Sequence, residues 1–244
     1  MRTIVQRFNA MQDLNETAAE YIVAAADRSV TRDGGFFMAL SGGRTPRGLY
    51  ELLATEPWRR RIAWDKTWIY LVDERAVPDT HPDSNYAMIR QALLDRVPIP
   101  PAQVFPMMTG LPLAQAADNY EKNIMAHVPL SSINGRPVFD VLLMGVGRDG
   151  HTASLFPMHP LLQEKEKYVC AVPEAVGDPA WPRLTMALPL INNARSALFL
   201  VVVNEKRLIV ESILERLEQV QDRYPAARVK PTEERVWLLD TELT

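Results

Sequence analysis

Apolar and polar residues follow one another along this chain in two distinct rhythms, and the places where the rhythm changes outline its elements. Over residues 14–30, Leu14, Ala18, Ala19, Ile22, Val23, Ala26 and Val30 fall on one helical face. Asp13 or Asn15 is the candidate cap of that helix, and Asp33-Gly34-Gly35 its stop. Apolar runs at 36–40, 68–72, 138–144 (interrupted only by Asp140) and 197–203 predict strands buried on both faces. Shorter runs at 3–8, 168–172, 185–188 and 236–239 predict further strands, the third of them pairing with the second. Helical patterns at 48–53, 86–94, 113–127 and 206–220 fall between the runs. Thr45, followed by Pro46, is the expected N-cap of the first of these helices, and Asn204 of the last. Residues 161–182 are the least regular.

Strands alternating with helices over the whole length predict an α/β fold with a largely parallel central sheet. No repeat or linker interrupts the pattern, and the 19 prolines are scattered through loops. Residues 1–244 are therefore read as a single domain.

Three predicted strands run directly into polar turns, and in an open α/β sheet ligands sit beyond the carboxyl ends of strands. The 138–144 run ends in Gly145, Gly147 and Gly150, with Arg148, Asp149 and His151 interleaved. A histidine side chain titrates at about 6.5 when unperturbed, so His151 is a candidate base, with Asp149 to orient its ring. The 36–40 run ends in Ser41-Gly42-Gly43-Arg44-Thr45-Pro46 at a helix start. Exposed backbone N–H groups there suit a phosphate, although a plain tight turn fits the same residues. The 68–72 run ends in Asp73-Glu74-Arg75, which is either a phosphate clamp through Arg75 or simply the chain reaching solvent. Arg183 and Lys206, beside two further strands, complete a possible cationic set. The other histidines, His81, His127 and His159, show no metal-ligand spacing, and no metal is expected.

Composition narrows the partners. A hydrophobic share of 47% and a formal charge of -3 give no support to a nucleic-acid partner. A small anion needs only a local cluster of Arg and Lys. The single cysteine, Cys170, cannot form an intrachain disulfide and is read as a buried strand thiol. Residues 1–14 hold no signal-type apolar core, and the run 197–203 is far short of the ~20 residues of a membrane span. The expectation is a soluble cytoplasmic protein with no membrane partner.

Three stretches together resemble the signatures of the 6-phosphogluconolactonase family. They are Ala39 through Pro46, Asp73-Glu-Arg75 with His81-Pro-Asp-Ser-Asn-Tyr86, and Gly145-Val-Gly-Arg-Asp-Gly-His-Thr-Ala-Ser-Leu-Phe-Pro157. The resemblance takes in Arg183-Leu-Thr and the 197–206 strand and turn, and runs in order along nearly the whole chain. It implies a Rossmann-like three-layer fold shared with glucosamine-6-phosphate deaminase and ribose-5-phosphate isomerase. It also implies a monomer that hydrolyses 6-phosphogluconolactone to 6-phosphogluconate without metal or organic cofactor. On that reading His151 is the general base and Asp149 orients it. Ser41, Gly42, Gly43, Arg44, Thr45, Arg75, Arg183 and Lys206 bind the sugar phosphate. Which cation would stabilise the oxyanion is left open. Arg148, where many members of the family carry an uncharged residue or proline, is a further candidate contact. The related deaminases carry a catalytic Glu five residues after the shared histidine and read Asp-Glu-Tyr at the strand end. Here these positions are Phe156 and Arg75, which favours the lactonase. A sugar-phosphate binder that has lost the chemistry is the non-enzymatic alternative.

Overall fold

The computed structural model describes residues 1–241. In chain order it runs β1 (Arg2–Phe8), α1 (Met11–Asp33), β2 (Phe36–Leu40), α2 (Arg44–Leu53), α3 (Trp58–Arg61), β3 (Thr67–Leu71) and β4 (Asp73–Arg75). There follow α4 (Asn85–Ala92), β5 (Val104–Phe105), α5 (Leu113–His127), β6 (Val141–Met144), β7 (Val169–Val176) and β8 (Trp181–Met186). The chain closes with α6 (Leu188–Ile191), β9 (Ser196–Val202), α7 (Arg207–Glu215), α8 (Leu217–Val220) and β10 (Glu234–Asp240).

Seven strands form one parallel sheet in the order β1-β10-β9-β6-β2-β3-β5. The chain builds outward from β2 through β3 to β5, then returns to β6 and builds the other way. β2 and β6 are therefore neighbours at the point where the strand order reverses, with Met38 opposite Val141 and Ala39 opposite Leu142. Both strands are buried along their whole length, as their unbroken apolar runs require of a sheet covered on both faces. Helices flank the sheet, giving the Rossmann-like α/β fold expected. No helix among the described residues is long and apolar enough to cross a membrane.

A second, antiparallel sheet, β4-β8-β7, holds the expected pairing of the 168–172 and 185–188 strands, with Cys170 opposite Thr185, and adds β4, which was not foreseen. It is tied to the first through Val72, whose N–H donates to the Leu40 carbonyl at 2.9 Å and whose carbonyl accepts from Met186 N at 2.8 Å. Asp73-Glu74-Arg75 is a strand of this sheet, and Asp73 and Glu74 are buried. The solvent-exit reading of that triplet is thus wrong: β8 covers it. The two-residue β5 was also missed, being too short to show any period. The Tyr120 hydroxyl from α5 holds it beside β3, within 3.2 Å of both the Leu71 and the Phe105 carbonyls.

Several boundaries differ from expectation. The first helix starts at Met11, with Ala10 at the N-cap and no side-chain cap from Asp13 or Asn15. The second starts at Arg44, because Gly43 at φ 97 closes the turn, so Thr45 lies inside the first turn and caps nothing. The last long helix is divided: Asn204–Lys206 is a 3-10 turn, α7 begins at Arg207, and Arg216 (φ -130, ψ 34) separates it from α8.

Candidate active site

The reversal of strand order brings two glycine turns side by side. The turn after β2 is held from below by Tyr50 of α2, whose hydroxyl donates to the Ser41 carbonyl at 2.6 Å. The turn after β6 is closed by Gly147 N–H donating to the His151 carbonyl at 2.8 Å and by Thr152 Oγ1 donating to the Gly145 carbonyl at 2.8 Å.

Between the turns lies a polar cup of about 270 Å³. It is lined by Ser41, Gly42, Gly43, Arg44, Thr45, Arg75, His151, Arg183 and Lys206, nine of the residues singled out from sequence. An adjoining outer cavity of about 760 Å³ shares Arg44, Thr45, His151 and Lys206 and adds Arg148 and Asp149. All the predicted site residues therefore converge on one crevice. Among the described residues, no group of three or more His, Cys, Asp or Glu is placed to hold a metal ion.

The two acid–base candidates are in direct contact. His151 Nδ1 lies 2.6 Å from Asp149 Oδ1, which also accepts from the His151 backbone N–H at 3.1 Å. An ionised carboxylate can only accept, so Nδ1 carries the proton and Nε2 is the basic nitrogen. Burial pushes the Asp149 carboxyl up, but the hydrogen bond and charge of His151 outweigh it and hold it below the ordinary carboxylate range. The stability this pair supplies is present above the unfolded-state value and is lost as pH falls through the lowered one. The Phe156 ring packs 4.7 Å from the His151 ring, centroid to centroid, so an apolar ring fills the fifth position after the histidine.

The cations are not equivalent. Arg75 Nη1 donates to the Asp83 carbonyl at 2.9 Å and to Asn85 Oδ1 at 2.6 Å, while its buried Nε has no hydrogen-bond partner among the described residues. Arg183 lines the cup, and part of its guanidinium is also committed elsewhere. Its Nε and Nη2 donate to the Val176 and Pro179 carbonyls of the β7–β8 hairpin, and Nη1 lies 3.9 Å from Asp73 Oδ2. It fastens that hairpin, whose Asp178 lines both cavities. Sequence reasoning gave no role to Asp178, to Asn85 or to the Asp73 side chain, which accepts from Ser154 Oγ at 2.6 Å. Asn85 and Asp73 stand within the quoted motifs, so a signal existed. Asp178 lies in the irregular segment and had none.

The family model described as glucosamine-6-phosphate isomerases/6-phosphogluconolactonase matches residues 9–238. The chain belongs to this family. Within it, the chain is 39% identical over 233 residues to the 6-phosphogluconolactonase of Synechocystis sp., covering 95% of this chain and 92% of that one. It is 36% identical over 240 residues to the human 6-phosphogluconolactonase, covering 97% and 91%. The crystal structure of 6-phosphogluconolactonase from Thermotoga maritima matches with a TM-score of 0.84 at 29% identity, over 98% of this chain and 99% of that one. A monomeric glucosamine-6-phosphate deaminase shares the fold at a TM-score of 0.81 with 18% identity, over 98% of each chain.

Proposed function

We propose that this member of the family hydrolyses 6-phosphogluconolactone to 6-phosphogluconate, with His151 as general base. The observation that carries the reading is the Asp149–His151 pair at 2.6 Å, set beside a cup lined with cations. With Nδ1 held by the carboxylate, Nε2 takes a proton from water as the oxygen forms a bond to the lactone carbonyl carbon. The tetrahedral intermediate collapses by breaking the bond to the ring oxygen, which leaves with the proton that His151 returns. Asp149 stabilises the imidazolium in between. A phosphate of roughly -1.5 to -2 charge at pH 7 is held by the Ser41–Thr45 turn with Arg75 and Lys206. Holding this remote group fixes the carbonyl near the base.

Phe156 supports this reading over a deaminase, because a ring-opening proton shuttle needs a carboxylate where this chain packs an apolar ring. The same reading carries with it a single-domain monomer working in the cytoplasm on a sugar-phosphate lactone, with no cofactor.

The test generates the lactone in place from glucose 6-phosphate with its dehydrogenase and follows acid release above the spontaneous background. Wild type accelerates release. His151→Ala loses about 10²–10⁴-fold in kcat, and Arg75→Ala raises KM with a smaller effect on kcat. A wild-type protein that leaves the background rate unchanged sinks the proposal, as does a His151→Ala variant with full kcat.

A further inference from the structure

Asn85, the first residue of α4, is buried at the rim of the cup. Three contacts meet on its side chain. Oδ1 accepts from Arg75 Nη1 at 2.6 Å. Nδ2 donates to the Asp73 carbonyl at 2.8 Å, with Asp73 Oδ1 at 3.4 Å. The same amide rests directly on Gly42, where an added Cβ would overlap Asn85 Oδ1 and Cγ. Gly42 is thus required by close approach, since no positive φ calls for it.

The backbone of Asn85 is equally constrained. Its N–H donates to Glu74 Oε1 at 2.8 Å, and Tyr86 N–H donates to Glu74 Oε2 at 2.8 Å. Ser84 Oγ adds a third bond to that carboxylate at 3.1 Å. A buried carboxylate therefore seats the start of α4, and the seat delivers one amide between Arg75 and the Ser41–Gly43 turn.

We infer that Asn85 is a positioning residue of the phosphate cup, acting by aiming the Arg75 guanidinium. Arg75 Nη1 is held by two neutral oxygens, the Asn85 amide and the Asp83 carbonyl. Neutral acceptors fix a guanidinium without cancelling its charge, so Arg75, which lines the cup, keeps that charge for an anion there. A carboxylate in the same place would hold Arg75 as firmly but would compete with the phosphate for its charge. The chemistry thus explains an amide here, where shape alone would accept aspartate. The inference rests on the lactonase reading for the nature of the ligand.

The test measures 6-phosphogluconate binding by calorimetry, steady-state kinetics with the lactone, and thermal melting. The proteins are wild type, Asn85→Ala, Asn85→Asp, Arg75→Ala and the Arg75→Ala/Asn85→Ala double variant. Asn85→Ala is expected to raise Kd and KM about tenfold, the scale of one lost hydrogen bond to a charged group, with kcat within about twofold. Asn85→Asp, close to isosteric, should bind more weakly still. The double variant should bind no more weakly than Arg75→Ala, because Asn85 acts through Arg75. If Asn85→Ala does not fold, Asn85→Asp decides, and aspartate binding as well as wild type overturns the inference. An unchanged Kd in Asn85→Ala, a parallel fall in kcat, or losses that multiply in the double variant would each overturn it as well. Wild type that binds 6-phosphogluconate but does not hydrolyse the lactone would sink the lactonase reading and leave this inference standing. Wild type that binds neither sinks both.

Discussion

At Gly147 the backbone passes so close to the catalytic candidates that a side chain has no room. A Cβ there would overlap the His151 ring and come within 2.8 Å of Asp149 Oδ1. Gly147→Ala must therefore push the pair apart while leaving the buried strands untouched. Its expected signature is a loss of about 10²-fold in kcat, since a displacement near 1 Å costs that much, with little change in melting temperature. A variant that keeps full kcat would show the pair is not the acid–base machinery. The pair itself was legible in the sequence, because two polar residues two positions apart on a tight turn after a buried strand have few places to go. Cys170 was legible too: it is buried, and burial pushes its thiol up to about 11. Asn85 was not legible as a functional side chain. Its value lies in touching Gly42 and Arg75, residues that only folding makes its neighbours.

At the scale of elements, apolar runs located the buried strands to within a few residues, and the 113–127 helix matched at both ends. Caps fared worse. Thr45, Asn204, Asp13 and Asn15 all have capping chemistry, yet backbone geometry placed the helix starts elsewhere. The irregular segment 161–182 holds the part that the sequence described least, the tip of the β7–β8 hairpin, which Arg183 binds through two nitrogens of its guanidinium. Arg183→Ala should free that tip, and faster amide hydrogen exchange confined to residues 176–181 would report it. Arg183→Lys should not restore protection, because an ammonium lacks the planar fork that reaches two carbonyls at once. Equal exchange in wild type and both variants would show that the hairpin is held by other contacts.

For the whole molecule, the parallel sheet carries the load. Phe199 of β9 and Trp237 of β10 stack at 4.1 Å between ring centroids, both fully buried. Trp237→Ala leaves a cavity in the middle of the sheet's face and is expected to cost about 3–5 kcal/mol, read as a shift in the denaturant midpoint. A loss below about 1 kcal/mol would mean the neighbouring helices collapse into the gap. Pattern along the chain was sufficient for the α/β class, the buried strands and the turns that hold the chemistry. Each of these rests on the local period of apolar residues or on the residue types within a single turn. The strand order, with β2 placed beside β6, came from pairing between segments about a hundred residues apart in sequence. So did the burial of Asp73 and Glu74 under β8. No local period records which strand lies next to which, or whether a charged triplet will be covered. That information resides in contacts made only once the sheet has closed.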